Sequence, residues 1–133
     1  MSVISFFDYE LNFKYNLIMS NESKILFKFK ENEKMALSEL KEMLYKKFEV
    51  VDLRIFGSRV KGGGNFESDI DVMIELAESN PEIESQIDDI IFEINLKYES
   101  FISAVIFNKK EIEEGPLSES PIYKIIQKEG LQF

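Results

Sequence analysis

The sequence has no cysteine and no histidine. Without cysteine there is no disulfide framework, no thiolate zinc site and no cysteine nucleophile. Without histidine there is no imidazole acid–base catalyst, no serine–histidine triad and no imidazole metal ligand. No apolar run approaches the ~18 residues that span a bilayer. The apolar start is broken by Asp8 and Glu10 and lacks the basic region of a secretory signal. Chemistry here must run on carboxylates, hydroxyls, lysine, arginine, backbone groups and a bound ion. With no cysteine and no signal segment, the cytoplasm is the default location.

What is present is an ordinary globular share of apolar residues, 44% of 133. That length fits a single domain over 1–133, with residues 1–30 as a candidate N-terminal extension. Phe6, Phe7, Tyr9, Phe13 and Tyr15 make its start aromatic, and no role is assigned to them. The net charge is −9, from 16 basic and 25 acidic residues. Such a surface repels anionic membranes and nucleic acid, so neither is expected as a direct partner. Residues 21–61 are the exception, with 10 basic against 7 acidic side chains. An anionic ligand is therefore expected near the loops of the first half.

Ile25, Phe27 and Phe29 alternate with lysines in a strand-like way. Leu37, Leu40, Leu44 and Phe48 recur at helical spacing over 33–48, with Asn32 as N-cap. Val50–Phe56 reads as a strand stopped by Gly57. Over Asp69–Leu76, Ile70, Val72 and Ile74 alternate with Asp69, Asp71, Met73 and Glu75, which predicts a half-buried strand. The short link between these strands leaves no room for a crossover helix, so they are expected to pair antiparallel or with a bulge. Ser79 or Asn80, then Pro81 and Glu82, open a helix whose stripe is Ile83, Ile87, Ile90, Ile91, Ile94 and Tyr98. Phe101–Phe107 is almost wholly apolar and reads as a central strand covered on both faces. An acidic loop over 108–121 and a short helix, Ile122–Lys128, capped by Gly130, complete the chain. The expected class is α/β or α+β.

The informative stretch is Gly57-Ser58-Arg59, with ten residues separating Ser58 from Asp69-Ile70-Asp71. Asp69 and Asp71, two apart on a strand, project from one face with Cα atoms ~7 Å apart. Two carboxylates that close are unfavourable unless one takes a proton or a cation neutralises both. With oxygen ligands only, the ion is Mg²⁺ or Mn²⁺. If Gly57-Ser58 opens a helical turn, its N–H groups and hydroxyl suit phosphate oxygens, and Arg59 and Lys61 add charge. Taken singly, each element has a bland reading: Asp-x-Asp is a solvated face, Gly-Ser a turn, and Gly62-Gly63-Gly64 a loop with neither P-loop nor dinucleotide-fold spacing. Their combination is the layout of metal-assisted phosphoryl transfer.

Gly57, Ser58, Asp69 and Asp71 in the pattern G-S-x₁₀-D-x-D resemble the signature of polymerase-β-type nucleotidyltransferases. Gly-Ser-Arg at 57–59 and Ser-Asp-Ile-Asp at 68–71 are similar to the small "minimal nucleotidyltransferase" branch, MNT, over roughly residues 35–107. The resemblance implies a mixed sheet with helices packed mainly on one face. It implies that Gly57, Ser58 and Arg59 bind the triphosphate of ATP or another nucleotide, and that Asp69 and Asp71 are catalytic and bind Mg²⁺. It also implies pairing with a helical HEPN-domain toxin, to which some MNT antitoxins transfer AMP. One departure stands out. The family commonly carries a third carboxylate on a later strand, and here 101–107 holds only Ser103 as a polar side chain. Loss of a general base costs about 10²–10⁴-fold in rate. Slow catalysis, another base, or a site retained without turnover all stay open.

Three functions follow as alternatives. The first is an adenylylating antitoxin acting on a HEPN-type partner. The second is a module that neutralises its partner by binding, through the acidic face of Glu82, Glu84, Asp88, Asp89 and Glu93. The third is a nucleotidyltransferase acting on an antibiotic as a dimer. Both a homodimer and a hetero-oligomer are compatible with the sequence.

Overall fold

A computed structural model describes residues 29–61 and 68–133. The aromatic stretch 6–15, most of the strand expected over 25–29, and the triplet at 62–64 lie outside the described residues. In chain order the elements are helix α1 (Glu31–Lys47), strands β1 (Val50–Phe56) and β2 (Ile70–Leu76), helix α2 (Pro81–Tyr98) and strand β3 (Ile102–Asn108). Helix α3 (Lys109–Glu114), a 3₁₀ turn (Pro116–Glu119), helix α4 (Pro121–Glu129) and the two-residue strand β4 (Leu131–Gln132) follow. The sheet order is β3-β2-β1-β4. β1 pairs antiparallel with both β2 and β4, β2 pairs parallel with β3, and the β1/β2 ladder slips between Val50 and Asp52.

Alternation divides the sheet into two faces. Leu53, Ile55, Ile70, Val72, Ile74 and Leu76 meet Leu37, Leu40 and Leu44 of α1 and Ile87, Ile90, Ile91 and Ile94 of α2 in one core. Each of the three α1 leucines is fully buried, which stabilises by about 1.5–3 kcal/mol apiece. The helical stripes therefore fall where their spacing put them. The opposite face carries Met73 and Phe107, covered by Ile112 of α3 and Ile126 of α4, with Phe56, Val105, Leu117 and Tyr123 packed around them. Phe107 and Tyr123 meet edge to face, with centroids 5.4 Å apart.

Four expectations are corrected. Helix α1 begins at Glu31, so Asn32 lies inside it and caps a different helix: its side-chain amide donates to the Tyr98 and Glu99 carbonyls at the end of α2, at 2.8 and 3.3 Å. β3 is an edge strand, not a central one. Its apolar run is explained because both its faces contribute to a core while only one edge is hydrogen-bonded. The segment 108–121 is not a loop. Asn108 Oδ1 accepts from Lys110 N at 3.0 Å and starts α3, and Pro116 opens the 3₁₀ turn. The chain end adds β4, too short to carry a pattern. Asn80, by contrast, caps α2 as expected, accepting from Ile83 N at 2.9 Å.

Candidate active site

The site forms where β1 ends and β2 begins. These ends are adjacent because the strands are antiparallel, with Phe56 opposite Asp71. Gly57 then turns the chain at φ 83°, a left-handed conformation that costs a side-chain-bearing residue energy. A Cβ on Gly57 would also meet Asp71 Oδ2 at 2.5 Å, so the carboxylate occupies space that only glycine leaves open. The Gly57 carbonyl accepts from Val60 N and Lys61 N at 3.2 and 3.3 Å, closing the helical turn expected after the strand. Ser58 is exposed on that turn, and its hydroxyl lies 3.3 Å from Ser68 Oγ. Both lips of the site are thus in contact.

Asp69 is exposed, one residue before β2, and Asp71 is partly buried within it. Burial pushes the Asp71 carboxyl above the ordinary aspartate range, and the nearby Asp69 charge pushes it further. The two groups are therefore close enough to repel. An all-oxygen donor pair burdened by its own repulsion fits a hard divalent cation, which would relieve it. No cluster of three or more acidic, histidine or cysteine side chains suited to a metal occurs among the described residues. On β3 the residue in register with Asp71 is Ser103, exposed and neutral.

Arg59 was expected beside the triphosphate, but its guanidinium turns inward and the residue is only 2% exposed. It donates to both Glu33 oxygens at 3.0 and 2.7 Å and to the Ser68 carbonyl at 2.8 Å. It also lies 4.9 Å from the centroid of the Phe29 ring. Glu33 is a residue that sequence reasoning missed. It sits 26 positions from its partner, where no spacing rule applies.

Glu75, on the same strand face as Asp71, is 7% exposed and does not join the site. Burial and then Asp52, its cross-strand partner, push its carboxyl above the ordinary range, while Tyr123, Lys109 and Arg54 pull it back. Tyr123 donates to Glu75 Oε1 at 3.5 Å, and Arg54 is paired with Asp52 at 2.7 Å. Arg54 also donates to the Gln127 and Gly130 carbonyls at 3.3 and 3.4 Å, tying the end of α4 to β1.

A sequence model of the nucleotidyltransferase domain matches residues 37–131, most of the chain and all four signature residues. The chain belongs to the nucleotidyltransferase domain family. Its general activity is accordingly nucleotidyl transfer. Among solved structures, one described as a "putative nucleotidyltransferase from Sulfolobus solfataricus" is 13% identical, with a TM-score of 0.43, covering 92% of this chain and 85% of that one. No curated protein matches. No helix among the described residues is long and apolar enough to cross a membrane.

Proposed function

We propose that this nucleotidyltransferase uses Mg²⁺ or Mn²⁺ and ATP, and transfers AMP to a hydroxyl of a HEPN-type toxin, for which it is the antitoxin. The observation that carries the reading is the close approach of the Gly57–Ser58 turn to Asp71, with Asp69 beside it. When bound, a divalent cation supplies charge neutralisation on the triphosphate. Asp69 and Asp71 would hold it, and the turn would offer Ser58 and backbone N–H groups to phosphate oxygens. The acceptor hydroxyl oxygen forms a bond to the α-phosphorus, the bond to pyrophosphate breaks, and the hydroxyl proton passes to water. With Ser103 where a carboxylate would take that proton, turnover is slow, by about 10²–10⁴-fold relative to a base-assisted site. The MNT-like signature of Gly57-Ser58-Arg59 and Ser68-Asp69-Ile70-Asp71 supports the choice of a protein acceptor.

The test is to incubate the protein with labelled ATP, Mg²⁺ and the product of the adjacent gene. Label should appear on the partner and be lost with Asp69→Ala plus Asp71→Ala. Equal labelling by that variant would remove the catalytic reading. A second reading, neutralisation by binding alone, is favoured by Ser103. It predicts neutralisation that survives the double alanine variant and is lost on charge reversal over Glu82–Glu93.

A further inference from the structure

We propose that Arg59, gripped by Glu33, is a positioning residue that sets the distance between the two lips of the nucleotidyl-transfer site, and not a phosphate ligand. The inference rests on the reading of that site given above. One side chain joins three parts of the fold that are remote in sequence. Arg59 belongs to the turn that presents Ser58. Its Nη1 donates to the carbonyl of Ser68, the residue before Asp69, at 2.8 Å. The same guanidinium is held by both oxygens of Glu33 in the first turn of α1. Glu33 is fixed in turn, since its Oε1 also accepts from Lys30 N at 2.9 Å. The pair is 2% and 6% exposed, so it is shielded from salt and water.

A bidentate arginine–carboxylate pair fixes direction as well as distance, which a lysine cannot reproduce. Rotation of the guanidinium would release the Ser68 carbonyl, and with it the carboxylate that follows. The hydroxyl contact between Ser58 and Ser68, at 3.3 Å, is a weaker tie across the same gap. The core helix α1 therefore reaches the site through one ion pair. A phosphate ligand would have to leave that pair and strand a buried glutamate, which is costly.

The two roles differ in the sign of one variant. Mn²⁺ association in the presence of ATP, followed by the electron paramagnetic resonance of free Mn²⁺, is compared across wild type, Glu33→Gln, Arg59→Lys and the double variant. Cooperative unfolding of each is checked first; if Glu33→Gln does not fold, Glu33→Asp replaces it. A positioning pair predicts that both single variants weaken association by about 10–100-fold, as outer-sphere supports do. The double variant should then cost no more than the worse single. Binding by Glu33→Gln as tight as wild type, or tighter because the arginine is freed, overturns the proposal. Should the wild type bind no Mn²⁺ with ATP, the functional reading fails, and amide hydrogen exchange decides the pair on its own. Faster exchange in Glu33→Gln at Gly57–Lys61 and Ser68–Asp71, with β3 unchanged, upholds it. Unchanged exchange at those amides rejects it.

Discussion

Asp71 and Glu75 stand four residues apart on the same strand and the same face, and the fold treats them in opposite ways. Over Glu75 lies α4, with Tyr123 on the carboxylate and Arg54 and Lys109 near enough to compensate its charge. At Asp71 no such compensation comes from the described residues: its β3 neighbour is the neutral Ser103, and the charge acting on it is that of Asp69. Both carboxyls are pushed upward by burial. Of the two, it is Asp71 whose burden the described residues leave for a ligand to relieve. A buried acid is thus structural or functional according to what the neighbouring elements bring to it, and α4 marks the boundary.

Removing the acids at the open end should have the largest effect. Asp69→Ala with Asp71→Ala is expected to lower label transfer by at least about 10³-fold, since metal-centred charge stabilisation supplies several kcal/mol. Unfolding in urea should show the variant no less stable than wild type. At the covered end the pattern inverts. Ile126 is fully buried under the sheet, and Ile126→Ala should cost about 2–5 kcal/mol in urea unfolding. Mn²⁺ association in the still-folded fraction should be nearly unchanged.

Smaller effects sharpen the contrast through pH. A carboxyl whose folded pKa is raised lends stability that is complete below its unfolded value and is lost as pH rises through the folded one. Asp71 and Glu75 therefore both make the protein less stable on going from about pH 4 toward neutrality, near the ordinary carboxylate values. Asp71→Asn should raise Tm at pH 7 in chelator and remove the further rise that Mg²⁺ gives the wild type. Tyr123→Phe should cost at most about 1 kcal/mol, because its hydroxyl contact at 3.5 Å is long. That loss should grow between pH 5 and 7, since the hydroxyl favours the charged Glu75, whereas Mg²⁺ stabilisation should be unaffected.

The sequence carried those parts of the fold that depend on local pattern. The α2 cap and the leucine stripe of α1 are set within one or two turns of chain, and the antiparallel β1/β2 pair follows from a short link. The acid pair and the Gly-Ser turn were legible for the same reason. β2, by contrast, expected half-buried, is buried on both faces from Val72 to Leu76 because α3 and α4 cover its second face. What stayed hidden depends on where remote segments meet. Asn32 is a good cap by type, yet it serves the end of α2, 66 positions away. Arg59 reads as a phosphate-seeking cation until Glu33 is seen beneath it. β3 reads as central because two cores wet both its faces, while hydrogen bonding, which composition does not report, leaves it at the edge. Glu75 shares a face with Asp71, and only the path of α4 separates their roles.

The most direct test of a shared site is a crystal structure with Mn²⁺ and a non-hydrolysable ATP analogue, using the anomalous signal of manganese. A manganese peak is expected at the carboxylates of Asp69 and Asp71, with the analogue's phosphates against the Gly57–Ser58 turn and Arg59 still on Glu33. A nucleotide bound elsewhere, or manganese absent from both aspartates, would contradict it.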